Sequence, residues 1–207
     1  MNAHWPDGQL RAATMAAPGM LEAALDQLPP GAAIYPFFMA RGWFVKSALA
    51  RRLEGRDVRV LDPFGLDPDL PAVAAALIRE EAAGRGWELA DCHVLMAAHG
   101  SARGKAAAAS AEDFATRLAP LLGGAGLRCG FVEQAPFLPD LAPGLRERTL
   151  CLPFFAMAGD HVRDDVTRGL RDAGFEGPIL PALGQAEPVP ALIAAALQRA
   201  SANSASI

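Results

Sequence analysis

The chain is poor in the features that mark several large function classes. Its three cysteines, Cys92, Cys129 and Cys151, are odd in number and form no CxxC pair. That argues against a disulfide framework and for reduced thiols used in packing. No run of like charge stands out, and the formal net charge is −4. A nucleic-acid footprint needs clustered Lys and Arg, so no nucleic-acid partner is expected. No uninterrupted apolar stretch is long enough to span a bilayer. The opening residues, MNAHWPDGQLRAATMAAPGM, carry no apolar core of signal-peptide type. These absences lead to the expectation of a cytoplasmic protein with no membrane partner. A full glycine fingerprint for phosphate or dinucleotide binding is also missing. HGSARG, residues 99–104, has only the look of a phosphate-holding turn ahead of a helix.

What is present is a repeat. PFFMARGWFVKSALARRL begins at Pro36 and PFFAMAGDHVRDDVTRGL at Pro153, 117 residues later. In this register Gly42 matches Gly159, Val45 matches Val162, Arg51 matches Arg168 and Leu53 matches Leu170. Asp62–Leu77, DPFGLDPDLPAVAAAL, resembles Pro181–Leu197, PALGQAEPVPALIAAAL, at an offset that drifts to 119 and then 120. A duplicated unit keeps its fold residues in both copies but needs its chemistry in only one. The informative difference is Phe44 against His161. The counterpart of His99 would fall before the first residue, so the first copy is expected to be truncated or reshaped at its start.

Strand-like and helix-like segments alternate. Cys92–His99 is a nearly continuous apolar run, which fits a strand buried on both faces. Leu127–Glu133 and Thr149–Phe155 read as further strands, and PILPAL (178–183) as the last. Helices are expected over Lys105–Leu122, from His161 to Gly174, and near the carboxyl end in PALIAAALQRA. In the first half the expected order is a helix near Met20–Leu28, a strand over Ala32–Phe38, a helix over Phe44–Leu53, a strand over Val58–Leu61 and a helix over Pro71–Ala83. The expected architecture is α/β: two flavodoxin-like parallel-sheet lobes related by internal duplication, with the N-terminal lobe truncated. The lobe boundary is placed between residues 1–88 and 89–207.

In such sheets ligands bind beyond the carboxyl ends of the strands. His99, Glu133 and His161 all fall there, on three successive units of the second copy. Two imidazoles and a carboxylate suit a borderline divalent metal such as Co²⁺, Fe²⁺, Ni²⁺ or Zn²⁺, and they also accept protons near neutral pH. Phe37, Phe38, Phe154 and Phe155 occur in both copies and are read as core. His4 and His93 are read as bystanders.

AAHGS, FVEQAPFLPDL, LPFFAMAGDHVRDDV and LPALGQAEPVPALI, in this order and spacing, resemble the CbiX/SirB-type sirohydrochlorin chelatases. These belong to the class II chelatases, together with the anaerobic cobaltochelatases and protoporphyrin ferrochelatase. The resemblance implies a chelatase-like fold whose lobes clasp a tetrapyrrole. It also implies a divalent metal (Co²⁺, Fe²⁺ or Ni²⁺) that enters the ring as a substrate, in cobalamin or sirohaem synthesis, without ATP or an organic cofactor. His99, Glu133 and His161 take the metal-binding and catalytic roles. Ser101, Arg103 and Arg163 are candidates for substrate binding, and Lys105 and Arg41 for further contacts to ring carboxylates. The implied state is a monomer or homodimer, with one metal site in the C-terminal lobe. Two alternatives remain open at this level: a metal or tetrapyrrole carrier that lost turnover, and a phosphate-ester enzyme using HGSARG as an anion cradle.

Overall fold

A computed structural model describes residues 10–102, 104–159 and 161–202, except for the side chains of His161, Val162 and Arg163. The chain forms two parallel sheets with helices before, between and after them. The smaller sheet pairs β1 (Ala32–Ile34) with β2 (Val58–Val60). The larger has the order β4-β3-β5, with β3 (His93–Ala98) central between β4 (Gly126–Phe131) and β5 (Thr149–Pro153). The fold is therefore α/β with parallel sheets, as expected. No helix among the described residues is long and apolar enough to cross a membrane.

Side-chain alternation along β3 explains how both faces of the larger sheet are covered. Val94, Met96 and Ala98 point into one core, with Leu150 and Leu152 of β5. Leu95 and Ala97 point into another, with Cys151. The second core is closed by Leu138 of α5 (Leu138–Leu141) and Leu170 of α6 (Gly169–Asp172). The first is closed by α3 (Leu70–Gly84), α4 (Ala106–Leu118) and α7 (Val189–Ala202). A strand covered on both sides has no need of polar alternation, so HVLMAA is uniformly apolar apart from its first residue.

The helices α3, α4 and α7 form the layer between the two sheets. Tyr35, Phe37 and Met39, just past β1, pack on the same core. The opposite side of the small sheet is covered by Leu21 and Leu25 of α1 (Met20–Leu25) and by Leu49 and Leu53. The main core thus runs across residues 88 and 89: α3 comes from the first half but lies on the sheet of the second. Conversely, α7 from the second half reaches β1. The guanidinium of Arg59 on β2 also donates to the Ala200 carbonyl of α7, and Arg199 of α7 pairs with Asp69 beside α3 at 3.0 Å.

Several residues paired by the sequence repeat make like backbone contacts. Leu61 N–H donates to Ile34 O and Leu180 N–H to Cys151 O, both at 2.9 Å. Gly65 N–H donates to Phe38 O at 3.0 Å and Gly184 N–H to Phe155 O at 2.9 Å. A Cβ at Gly65 would lie 2.0 Å from Met39 O, and one at Gly184 would lie 2.1 Å from Ala156 O. Both positions accept only glycine because a neighbouring backbone passes through the space of a side chain. Phe44–Leu49, leading into α2 (Ala50–Arg52), and His161–Arg168, leading into α6, are both wound as π-helix.

Three expectations need correction. The strand expected over Ala32–Phe38 stops at Ile34, because Pro36 has no N–H to give to a ladder. PILPAL is not a strand; it makes a single bridge, Cys151 to Ile179. Pro178 and Pro181 have no N–H to give to a ladder, so pairing stops at the one residue that fits. The helix expected to reach Leu122 ends at Leu118 and tightens into a 3₁₀ turn over Ala119–Leu122. Pro120 removes the donor that the next α-helical bond would need.

Candidate functional site

The mouth is built at the carboxyl ends of β3 and β4, which run in register as a parallel pair. Beyond the last rungs the chains continue side by side. Val132 N–H donates to Ala98 O at 3.0 Å, and Glu133 N–H donates to His99 O at 2.9 Å. This extra rung brings His99 and Glu133 together, although 34 residues separate them. His99 Nδ1 lies 3.6 Å from Glu133 Oε2, and the side chains are 39% and 45% exposed. That separation is longer than a hydrogen bond. It leaves both groups accessible from solvent. The imidazole is backed by the Phe155 ring, centroid to centroid 6.4 Å.

Gly100 lets the chain leave β3 at this point. Its φ is +68°, and a Cβ there would meet Gln134 Cγ at 2.8 Å and Phe131 Cβ at 3.0 Å. The turn is pinned by Gln134, whose Oε1 accepts from Ser101 N–H at 2.9 Å. That amide is therefore already occupied, which weakens HGSARG as an anion cradle. Ser101, Gly104, Lys105, Ala108, Glu112 and Gln134 line an open cavity of about 650 Å³ beside the turn. The size is within the usual range for small-molecule sites.

The first half of the chain meets the same end of α4. Ser110, little more than one turn into α4, donates its hydroxyl to Met39 O at 2.7 Å. This contact ties the loop after β1 to the helix beside the His99 turn.

Of the residues expected at the site, His99 and Glu133 are brought together, and Ser101 and Lys105 line the cavity. Arg41 pairs with Asp62, so its charge is shared before any ligand arrives. His161 begins the π-helical segment after β5. Its side chain, that of Arg163, and the whole of Arg103 lie outside the described residues. Among the described residues no three His, Cys, Asp or Glu side chains gather into a metal site; the described part of the expected set is the pair.

Gln134 was not singled out in the sequence, because an amide next to a candidate carboxylate carries no periodic signal. Phe38 was read as core, yet it is only half-buried and stacks on Phe44 with centroids 5.8 Å apart and planes 7° apart. Phe154 and Phe155 are buried, as expected.

His93 is held locally: its Nδ1 faces Cys92 O at 2.8 Å. The thiols of Cys129 and Cys151 are both pushed up to about 12, chiefly by burial. Burial likewise pushes the Cys92 thiol up. Burial of this kind suits packing thiols rather than reactive ones.

Comparison with known proteins fits this geometry. The CbiX family model matches residues 93–200, which holds the larger sheet, the His99–Glu133 pair and α7. A solved structure described as CbiX, the terminal enzyme for biosynthesis of siroheme in denitrifying bacteria, is 45% identical. The alignment covers 95% of this chain and 86% of that one, with a TM-score of 0.84. SirB from Bacillus subtilis with Fe³⁺ shares the fold at 13% identity, covering 96% and 81% of the two chains with a TM-score of 0.72. DR2241 from Deinococcus radiodurans, a multi-domain protein with structural similarity to chelatases, shares it at 22% identity. That match covers 80% of this chain and 40% of that one, with a TM-score of 0.62. No curated protein matches. With more than half its length matched by the family model, and nearly all of it aligned to a solved member at 45% identity, the chain belongs to the CbiX family.

Proposed function

We propose that this protein inserts a divalent first-row metal ion into sirohydrochlorin, with Fe²⁺ leading to sirohaem as the first reaction to test. The observation that carries the reading is the solvent-accessible His99–Glu133 pair at the carboxyl ends of two parallel strands, in a chain of this family. The 45% identical relative, described as an enzyme of siroheme biosynthesis, favours iron. Cobalt stays within the chemistry, because imidazole and carboxylate donors suit several first-row ions.

The reaction is an exchange without redox change. M²⁺ enters the ring, two pyrrole N–H bonds break, and two protons leave. A neutral imidazole is a temporary ligand for the metal and a base of suitable strength near pH 7. Glu133, 3.6 Å from His99, stabilises the imidazolium that forms and passes the proton to water. His161 supplies a second imidazole from the next strand end in this reading. Ser101 and Lys105 line the adjoining cavity and receive edge carboxylates of the ring, with Arg103 and Arg163 completing the set. We read residues 1–88 and 89–207 as two copies of one unit that have exchanged their last helices. One chain then supplies both rims, and a monomer suffices.

The test is anaerobic incubation of the purified protein with free-base sirohydrochlorin and Fe²⁺ or Co²⁺, following the change in visible absorption against the uncatalysed rate. His99→Ala is expected to lower kcat by on the order of 10²-fold or more. Glu133→Gln is expected to lower it by roughly tenfold. Pigment binding without any acceleration by the wild-type protein would make it a carrier and end the enzymatic reading.

A further inference from the structure

Seven large apolar side chains are exposed among the described residues, and four of them follow strands in the chain: Trp43 and Phe44 after β1, Phe137 after β4, and Met157 after β5. The fold does not require this. Rings left in water cost solubility, and a cluster of them on one rim marks a binding surface.

Trp43 and Phe44, 64% and 57% exposed, form an ordered ladder with Phe38. Phe38 lies parallel beneath Phe44, and Trp43 meets Phe44 edge-on at 5.3 Å and 75°. Phe44 is thus fixed from below while its outer side stays open. Its backbone position matches His161, the first residue of the corresponding π-helical segment in the other half. The loop that carries the ladder is anchored to α4 by the Ser110–Met39 hydrogen bond. The same helix presents Lys105 and Glu112 to the cavity beside His99. The strand ends beside α4 offer imidazole and carboxylate, and the loop anchored to α4 offers exposed aromatic rings.

We propose that Trp43 and Phe44 are a stacking platform for the flat face of the tetrapyrrole. This rests on the chelatase reading above and adds a specificity-determining pair to it. A planar conjugated ring has apolar faces and polar edges, which is the complement of an aromatic rim beside Lys105. Stacking on one face leaves the other open to the histidine side, where the metal enters and the protons leave. The truncated lobe supplies no metal ligand; its contribution is recognition of the ring.

The experiment replaces both rings with leucine, Trp43→Leu with Phe44→Leu, which keeps apolar bulk and removes the planar faces. Metal insertion is measured with tetrapyrrole and metal varied separately, and metal-free pigment binding is titrated alongside. The expected result is a tetrapyrrole KM and Kd raised roughly tenfold. The metal KM and kcat should stay within about twofold, since a contact equal in ground and transition states changes KM alone. The single variant Trp43→Leu, whose ring meets only Phe44 among described aromatic contacts, should show roughly a threefold rise and guards against misfolding of the double variant. Unchanged pigment KM and Kd in an active protein would overturn the platform and leave the chelatase reading intact. A wild-type protein that inserts no metal, yet binds pigment through these rings, would sustain the platform and end the chelatase reading. A changed elution volume with unchanged pigment affinity would assign the rings to a second copy of the chain and overturn the proposal.

Discussion

Replacing Tyr35 with phenylalanine removes a single oxygen atom from the seam between the two sheets. Tyr35 is the chain's only tyrosine. Its hydroxyl donates to Asp67 Oδ2 at 2.8 Å, and Asp67 is only 3% exposed. The other carboxylate oxygen accepts from Asp69 N–H at 3.0 Å. Arg117 of α4 donates to the Asp67 and Gly65 carbonyls at 3.2 and 3.4 Å. These bonds tie the end of β1 to α3 and α4, and so set where the aromatic rim stands. Phenylalanine keeps the ring volume, so no cavity opens; the loss is a hydrogen bond to a buried charge, about 1.5–3 kcal/mol. For a domain of this size that lowers Tm by about 3–12 °C.

The pH dependence follows from the same contacts. Burial first, then the hydrogen bond and charge of Asp67, hold the phenol above its ordinary value of 10. The stabilisation is complete below the unfolded pKa of about 10 and is lost as pH rises beyond it. Because there is one tyrosine, the rise in near-ultraviolet absorbance on phenol ionisation reads it alone, over a tryptophan background that does not titrate. Phenolate should appear above pH 10 only together with unfolding. A tyrosine that ionises near pH 10 in the folded protein, or a Tyr35→Phe variant with the wild-type Tm, would refute the reasoning.

Three further substitutions bear on the repeat. His161→Phe copies what the first lobe carries at position 44, where the ring stands exposed on the same kind of π-helical start. The expected outcome is a Tm within about 2 °C of wild type with kcat reduced on the order of 10²-fold, checked by calorimetry and the insertion assay. Full activity in the folded variant would remove His161 from the mechanism. Gly184→Ala places a methyl 2.1 Å from Ala156 O and should cost about 1–3 kcal/mol in urea unfolding. Gly42→Ala, whose methyl meets nothing within 4 Å, should stay within about 0.5 kcal/mol.

The aromatic rim and the polar pair illustrate two kinds of signal. His99 and Glu133 were legible because an apolar strand that ends in a polar residue announces its own carboxyl end. That end of a parallel sheet is where N–H and C=O groups and side chains are left without strand partners. The strands expected over Cys92–His99, Leu127–Glu133 and Thr149–Phe155 appear within a residue or two of those bounds. PILPAL misled because its apolar content is that of a strand while its prolines deny it the ladder. The rim misled in the opposite direction. Phe37 and Phe38 look alike in sequence, but Phe37 packs on Phe64 at 4.7 Å, whereas Phe38 turns outward to support Phe44. Adjacent residues in extended chain face opposite ways, and only the packing decides which way is in.

The amino-acid sequence by itself determined the class of fold, the repeat, the order of elements and the presence of a histidine and a carboxylate at neighbouring strand ends. These follow from local periodicity and from residues that glycine and proline constrain within a few positions. The tertiary structure alone decided that α3 of the first half lies on the second sheet and that α7 reaches back to β1. It also decided that the 34-residue gap between His99 and Glu133 closes to 3.6 Å. Such outcomes depend on which apolar faces meet across the chain. Alanine-rich helices such as α3 and α7 carry nearly the same face in sequence, so the choice of sheet is made by the complementarity of the whole core.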